Sequence, residues 1–158
     1  MAKSGVVFTN DNEYYTPRWI VDMFGEFDYD PATVPEKAEE FGVKHFDTIE
    51  TDGLTSDWTK HDKIWINPPF TRKYEFLTKA QETYDKAGND IYILFPIETL
   101  TTQKFQTAVR AGKVFIPNGR INFESGLGKT GKSPAFGSVV FKFQDKNEIE
   151  YISIKGNK

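Results

Sequence analysis

Hydrophobic residues recur along this chain at two spacings that alternate with each other. Lys73 to Ala87 repeats at helical spacing through Tyr74, Leu77, Ala80 and Tyr84 and stops at Gly88-Asn89. Thr102 to Ala111 repeats the pattern through Phe105, Ala108 and Val109. A further helix is predicted where Thr16 can cap and Pro17 occupies the first turn, with Trp19, Ile20, Met23 and Phe24 as its apolar stripe and Gly25 as its stop. A short one fits Pro35 to Gly42. Between these lie extended segments: Phe27 to Asp30, which alternates apolar and acidic residues, a brief piece from His45 to Ile49, and the apolar runs Lys63 to Ile66, Asp90 to Pro96 and Lys113 to Pro117. Strands alternating with helices through residue 117 predict an α/β fold with a mainly parallel sheet. The ending breaks the alternation. Gly137 to Phe143 and Glu148 to Ile154 have no helix between them, which predicts an antiparallel C-terminal hairpin or mixed sheet edge across Asp145-Lys146-Asn147. Residues 1 to 13 read as a polar lead-in around Val6-Val7-Phe8.

One run leads out of the sheet in a distinctive way. Lys63-Ile64-Trp65-Ile66 delivers the chain to Asn67, and Pro68-Pro69 then forbid both helix and sheet ladder, so the backbone leaves stiffly extended. Asn67 is thereby presented at a strand end, with the ring of Phe70 on a short rigid tether. Such a loop offers a side-chain carbonyl, the backbone carbonyl of Pro68 and a flat apolar face, a set suited to a planar ring bearing an amino group. Asp30, ahead of Pro31, stands at a second strand end. In open α/β sheets ligands bind at the carboxyl ends of strands, where both residues fall.

Composition narrows the class. At 158 residues, 38% hydrophobic and 27% charged, the chain is expected to be a single domain with a real core. No apolar run approaches membrane length and the N-terminus lacks the apolar core of a signal peptide, so the expectation is a cytoplasmic protein without a membrane partner. With no cysteine, and with His45 and His61 at no zinc-like spacing, no metal is expected. No obligate protein partner is evident. The net charge of −3 gives no global electrostatic attraction to nucleic acid. The distribution does: Lys104, Arg110, Lys113, Arg120, Lys129 and Lys132 fall in one stretch with Glu124 as its acid, which predicts a basic surface.

Gly126 to Ser133 matches the phosphate-loop pattern G-x-x-x-x-G-K-S letter for letter. That mechanism needs a strand entering the loop and a helix leaving it. Pro134 follows at once, then Phe136-Gly137 and a strand-like run. The stretch is therefore read as a basic loop able to lie against phosphates rather than as an ATPase site.

Asn67-Pro68-Pro69-Phe70 resembles the (Asp/Asn/Ser)-Pro-Pro-(aromatic) loop of amino methyltransferases. With the other segments in order, the chain resembles the phage-type Dam family of DNA N6-adenine methyltransferases over nearly its whole length. The resemblance implies an abbreviated Rossmann-like S-adenosylmethionine-dependent fold, double-stranded DNA as partner, and Asn67, Pro68, Pro69 and Phe70 as the catalytic loop. Tyr15-Thr16-Pro17 resembles the motif lying along the methionine part of the cofactor. Asp30-Pro31-Ala32 resembles the segment whose carboxylate meets the cofactor's amino group, and Asp52-Gly53-Leu54 the one holding its adenine. Gly119 to Phe123 and Ser133 to Ser138 resemble later segments near the DNA, and Arg72, Lys73, Arg120, Lys129 and Lys132 are the candidate phosphate contacts. The resemblance also implies a phage origin and a role in shielding or marking phage DNA. No glycine-rich G-x-G follows Asp30 and few residues separate Asp30 from Asn67, so the cofactor half of the sheet is expected to be short, with Asp47 or Glu50 left as ribose contacts. Other acceptors (cytosine N4, an RNA base, a protein glutamine) and a non-catalytic DNA-binding domain of the same fold stay open alternatives.

Overall fold

The computed structural model describes residues 15–125, 129–130 and 136–154. Its helices are α1 (Arg18–Met23), α2 (Pro35–Phe41), α3 (Lys73–Ala87) and α4 (Gln103–Ala108). Its strands are β1 (Tyr29–Asp30), β2 (His45–Phe46), β3 (Lys63–Ile66), β4 (Asp90–Pro96), β5 (Gly112–Pro117), β6 (Glu124–Ser125), β7 (Lys129–Thr130), β8 (Ser138–Phe143) and β9 (Glu148–Ile152). Seven strands form one sheet in the order β2-β1-β3-β4-β8-β5-β9, and β6 pairs with β7 apart from it.

The sheet is the expected α/β one. β1 runs parallel to β2 and β3, β3 to β4, and β5 to β9, while β8 runs antiparallel to both β4 and β5. The antiparallel C-terminal character is present, but β8 and β9 are not hydrogen-bonded to each other. β5 lies between them, so the turn through residues 144–147 crosses the end of β5. Val139 and Val140 are wholly buried on opposite faces, which favours a central position for β8, whereas Glu148 and Glu150 suit β9 to an edge.

Strand alternation builds two cores. Ile64 and Ile66 point into one, with Trp58, Phe76 and Leu77 beneath α3 and Phe105 of α4. Trp65 points into the other, with Ile20, Val21 and Phe27 around α1, and Ala38 of α2. Ile64, Trp65 and Ile66 are each 1% exposed or less. Removing such side chains from water stabilises the fold by about 1.5–3 kcal/mol apiece, which holds the strand that carries Asn67. Lys63 fastens the end of α1 to β3: its ammonium donates to the Phe24 carbonyl and lies 4.9 Å from the centre of the Phe27 ring. Gly25 takes a positive φ of +100°, which side-chain-bearing residues rarely adopt, so this turn favours glycine.

β1 and β3 are adjacent and parallel, with Tyr29 level with Ile64. Asp30 and Asn67 therefore leave the sheet at the same carboxyl edge. The Asp28 carboxylate fixes this register at the other end by accepting from the backbone N–H groups of Asp62 (3.2 Å) and Lys63 (2.8 Å).

Candidate active site

A cavity with about 490 Å³ of space, open to solvent, lies over that carboxyl edge. Asn67, Pro68, Pro69 and Phe70 form one wall. Tyr15, Thr16, Asp30 and Ala32 line it too. A second recess with about 280 Å³ of space, likewise open to solvent, is lined by Pro31, Asp52, Gly53 and Arg72, and Ala32 and Pro69 belong to both walls. The two spaces are neighbours across one proline and one alanine.

Asn67 is held by a contact that local sequence does not foretell. Its Nδ2 donates to Thr16 Oγ1 at 2.9 Å. Thr16 is 3% exposed and does not cap α1; the N-cap is Pro17, with no side-chain hydrogen bond. The expected Thr16 cap is thus replaced by a tertiary bond, because Thr16 is turned into the sheet edge. The pairing commits the amide nitrogen of Asn67 to Thr16 and sets the direction of the amide oxygen. Pro69 then caps a 3-10 turn over Phe70–Arg72, and the Phe70 ring packs edge-on against Phe136 with centroids 5.3 Å apart.

Asp30 is 3% exposed and accepts from the Ala32 N–H at 2.9 Å. Burial pushes its carboxyl up to about 7, against the opposing pull of the Ala32 N–H. A cation brought against this group would favour its charged form.

Asp52 has a positive φ of 56° and caps the 3-10 turn Gly53–Thr55 by accepting from the Leu54 N–H. A Cβ on Gly53 would lie 2.0 Å from the Pro31 carbonyl oxygen, so only glycine lets this turn approach the exit of β1. Trp58 Nε1 donates to the Gly53 carbonyl at 2.8 Å and pins the turn to the core. Leu54 and Pro17 line neither cavity: Leu54 packs against the core and its carbonyl accepts from Lys79, while Pro17 starts α1.

The remaining expected contacts divide. Arg72 Nε lies 2.6 Å from Glu75 and its Nη1 3.7 Å from Asp52, so it faces the second cavity. Lys73 and Lys104 lie on the ring of Tyr74, at 5.2 and 5.4 Å. Arg120 is exposed, between Ile121 and Phe123, which are core residues, and the neighbouring strand β5. Arg110 pairs with Asp85 at 2.6 Å and Lys113 with Glu150 at 2.8 Å, so the expected basic stretch is partly neutralised by acids distant in sequence. Lys132 and Ser133 to Ala135 lie outside the described residues, and Lys129 stands on β7. From Phe136 onward the chain enters β8 without a helix, consistent with setting aside the phosphate-loop reading.

Asp47 sits apart from these cavities. Its Oδ2 accepts from Tyr29 Oη at 2.5 Å and from Ser56 Oγ at 2.7 Å, in a different depression that includes His45 and His61. Burial pushes its carboxyl up, but the hydrogen bonds from Tyr29, Ser56 and Thr51 outweigh this and hold it below the usual range. Thr48 and Ile49, rather than Asp47 or Glu50, line the second cavity. Sequence reading also missed Thr33, Lys37, Phe41 and Trp65 in the first. Lys37 and Phe41 stand four apart on α2, a spacing that places them on one face. Among the described residues no cluster of three or more His, Cys, Asp or Glu could hold a metal ion, and no helix is long and apolar enough to cross a membrane.

The sequence profile of the family described as DNA N-6-adenine-methyltransferase (Dam) matches residues 4–158. The chain belongs to the Dam family. A relative named DNA N-6-adenine-methyltransferase, from Escherichia phage T1, is 29% identical over 155 residues, covering 85% of this chain. The chain spans 63% of that relative's length. Family membership covers the whole described sheet, including the Asn-Pro-Pro-Phe loop, the Asp30 strand end and the Asp52 turn.

Proposed function

We propose that this chain transfers a methyl group from S-adenosylmethionine to the N6 amino group of an adenine turned out of duplex DNA. The observation that carries the reading is the meeting of Asn67, Thr16 and Asp30 around one cavity at the sheet edge, in a chain of this family.

The residues fit such a methyl donor. Asp30 offers a buried acceptor for its ammonium group, and Asp52, at the neighbouring cavity, offers an acceptor for the adenine amino group. The spacer between them is Ala32 and Pro69, small and rigid. S-adenosylmethionine supplies an electrophilic methyl carried by a sulfonium.

The chain's own residues supply the rest. An exocyclic amino nitrogen is a poor nucleophile because its lone pair is delocalised into the ring. The Asn67 amide oxygen and the Pro68 carbonyl accept from its two hydrogens, favouring a pyramidal nitrogen and aiming the lone pair. Phe70 stacks on the extruded base, with Phe136 bracing its ring from the edge. Arg72, Lys73, Arg120 and Lys129 are the described basic residues assigned to phosphates. No general base is required, since the methylated nitrogen is acidic enough to release its proton to water.

The test is incubation with unmethylated DNA and methyl-labelled S-adenosylmethionine, followed by nucleoside mass spectrometry. Label in N6-methyladenine is expected. Label in N4-methylcytosine, or in added RNA or protein instead of DNA, would replace the acceptor. Full transfer by Asn67→Ala would remove Asn67 from the mechanism.

A further inference from the structure

The large hydrophobic side chains exposed among the described residues are Phe46, Ile97, Ile149 and Tyr151. Phe46 stands on β2, and Ile149 and Tyr151 stand on β9, the two outer strands of the sheet, where one side has no neighbour and exposure follows from position. Ile97 has no such reason. It follows β4, the fourth of the seven strands, in which Ile91 to Pro96 are all buried, and it emerges 38% exposed. Its place is fixed from two sides. Its N–H donates to the Gly137 carbonyl at 2.9 Å, and it opens the 3-10 turn Ile97–Thr101, which the buried Thr99 anchors. Gly137 has no positive φ, so the backbone does not require glycine there. A Cβ at that position would touch Ile97 Cγ2 at 3.9 Å and begin to cover it.

Ile97 belongs to the same edge as the ring assigned to the base. β3 and β4 are adjacent and parallel, with Ile66 level with Ile93, so the loop of residues 67–70 and Ile97 leave the sheet at one carboxyl edge. Gly137, bonded to Ile97, follows Phe136, whose ring abuts Phe70. Extruding an adenine leaves an empty place in the base stack and an unpaired partner base, and apolar side chains, isoleucine among them, enter base steps in proteins that deform DNA. We infer that Ile97 enters the duplex at the place the target adenine vacates, filling the stack while Phe70 holds the base outside it. The inference rests on the reading of this chain as a DNA adenine methyltransferase. In this role Ile97 is a positioning residue: it does not touch the reacting nitrogen, and it lowers the cost of keeping the adenine out.

The experiment compares methyl transfer by the full chain to two duplexes carrying the adenine that the wild type methylates. One is fully paired; the other has an abasic site opposite that adenine, which then has no pair to break on leaving the stack. Ile97→Ala is expected to lower kcat/KM on the paired duplex by about 10- to 100-fold and to stay within about threefold of the wild type on the abasic duplex. Ile97→Ser, equally small, is expected to behave the same way, and Ile97→Leu, of equal bulk, to keep most of the rate on both. Because the side chain is exposed, melting temperature and S-adenosylmethionine affinity are expected to match the wild type in all three variants. Phe70→Ala, which removes the partner of the extruded base, is expected to lose rate on both duplexes. Wild-type rate in Ile97→Ala on the paired duplex, an equal loss on both duplexes, or a loss that follows lowered melting temperature or cofactor affinity would overturn the role of Ile97. A wild type that labels no adenine in DNA would overturn the reading of the site, and the inference with it.

Discussion

Thr16 Oγ1 accepts a 2.9 Å hydrogen bond from Asn67 Nδ2 across 51 residues of chain. Both residues line the cavity, and Thr16 is buried. The bond uses the nitrogen end of the amide, so in the proposed reaction the oxygen end is the one that meets the incoming amino group. Thr16→Val keeps the shape and removes the acceptor. Turnover is expected to fall about tenfold, equivalent to about 1.4 kcal/mol of barrier, while the dissociation constant for S-adenosylmethionine stays within a few-fold. Thr16→Ser is expected to recover most of the rate. A pre-steady-state burst and a binding titration together check this; loss of binding without loss of rate would reassign Thr16 to the cofactor alone.

Asp30 gives the protein a pH signature. Its carboxyl is raised to about 7 by burial, so between about pH 4 and 7 the folded chain keeps a proton that the unfolded chain has lost. This contribution is fully present at low pH and is lost as pH rises through 7. His61, whose imidazole burial pulls down, has the opposite sign and adds stability as pH rises past its usual range. The wild type alone is therefore ambiguous, and the comparison with Asp30→Asn isolates the carboxyl. Thermal unfolding of the ligand-free protein is expected to gain less stability from pH 8 to 5.5 in the variant than in the wild type. Below pH 7, S-adenosylmethionine binding is expected to release a proton, read as a dependence of the binding heat on buffer ionisation enthalpy.

Gly53 lies too close to Pro31 for any side chain. A Cβ at 2.0 Å from the Pro31 carbonyl oxygen meets backbone, which cannot rotate away. Gly53→Ala is expected to lower stability by about 1–3 kcal/mol or more, through displacement of the Asp52 turn from the exit of β1. Melting temperature and S-adenosylmethionine affinity are expected to fall together. An unchanged melting temperature would show that the two segments separate freely.

Phe70 is assigned to the base rather than to the methyl donor. Phe70→Ala is expected to lower kcat/KM for DNA by about 10- to 100-fold, the scale of one base-to-ring stack of about 1–3 kcal/mol. S-adenosylmethionine affinity is expected to change little, and Phe70→Tyr to retain most activity. Fluorescence of 2-aminopurine at the target position reports extrusion directly: a full signal with the alanine variant would mean that other groups hold the base.

The legible elements were those whose reasons are local. α3 declared itself through four apolar positions at helical spacing and a terminal glycine, found at φ +68. β3 and β4 declared themselves as apolar runs, because strands buried on both faces have no polar side to show. α4 ended earlier than its periodicity suggested, at Ala108, since Val109 leaves the helix for the core in an extended conformation. The order of β8, β5 and β9 was not legible. Three strands near the end of a chain can pair in several orders, and the choice depends on which faces the helices already cover.

The Asn67-Pro68-Pro69-Phe70 loop, the Asp30 strand end and the Asp52 turn were each written in adjacent residues, because proline geometry, strand termination and tight-turn chemistry act over a few bonds. The sequence alone therefore determined what chemistry each segment offers. Only the tertiary structure decided which segments share a cavity. Parallel pairing of β1 with β3 brought Asp30 and Asn67 to one edge, burial turned Thr16 from an apparent cap into a partner of Asn67, and the inward face of α2 carried Lys37 into the same wall. Each of these depends on contacts between residues far apart in the chain, whose energies arise only once the sheet is assembled.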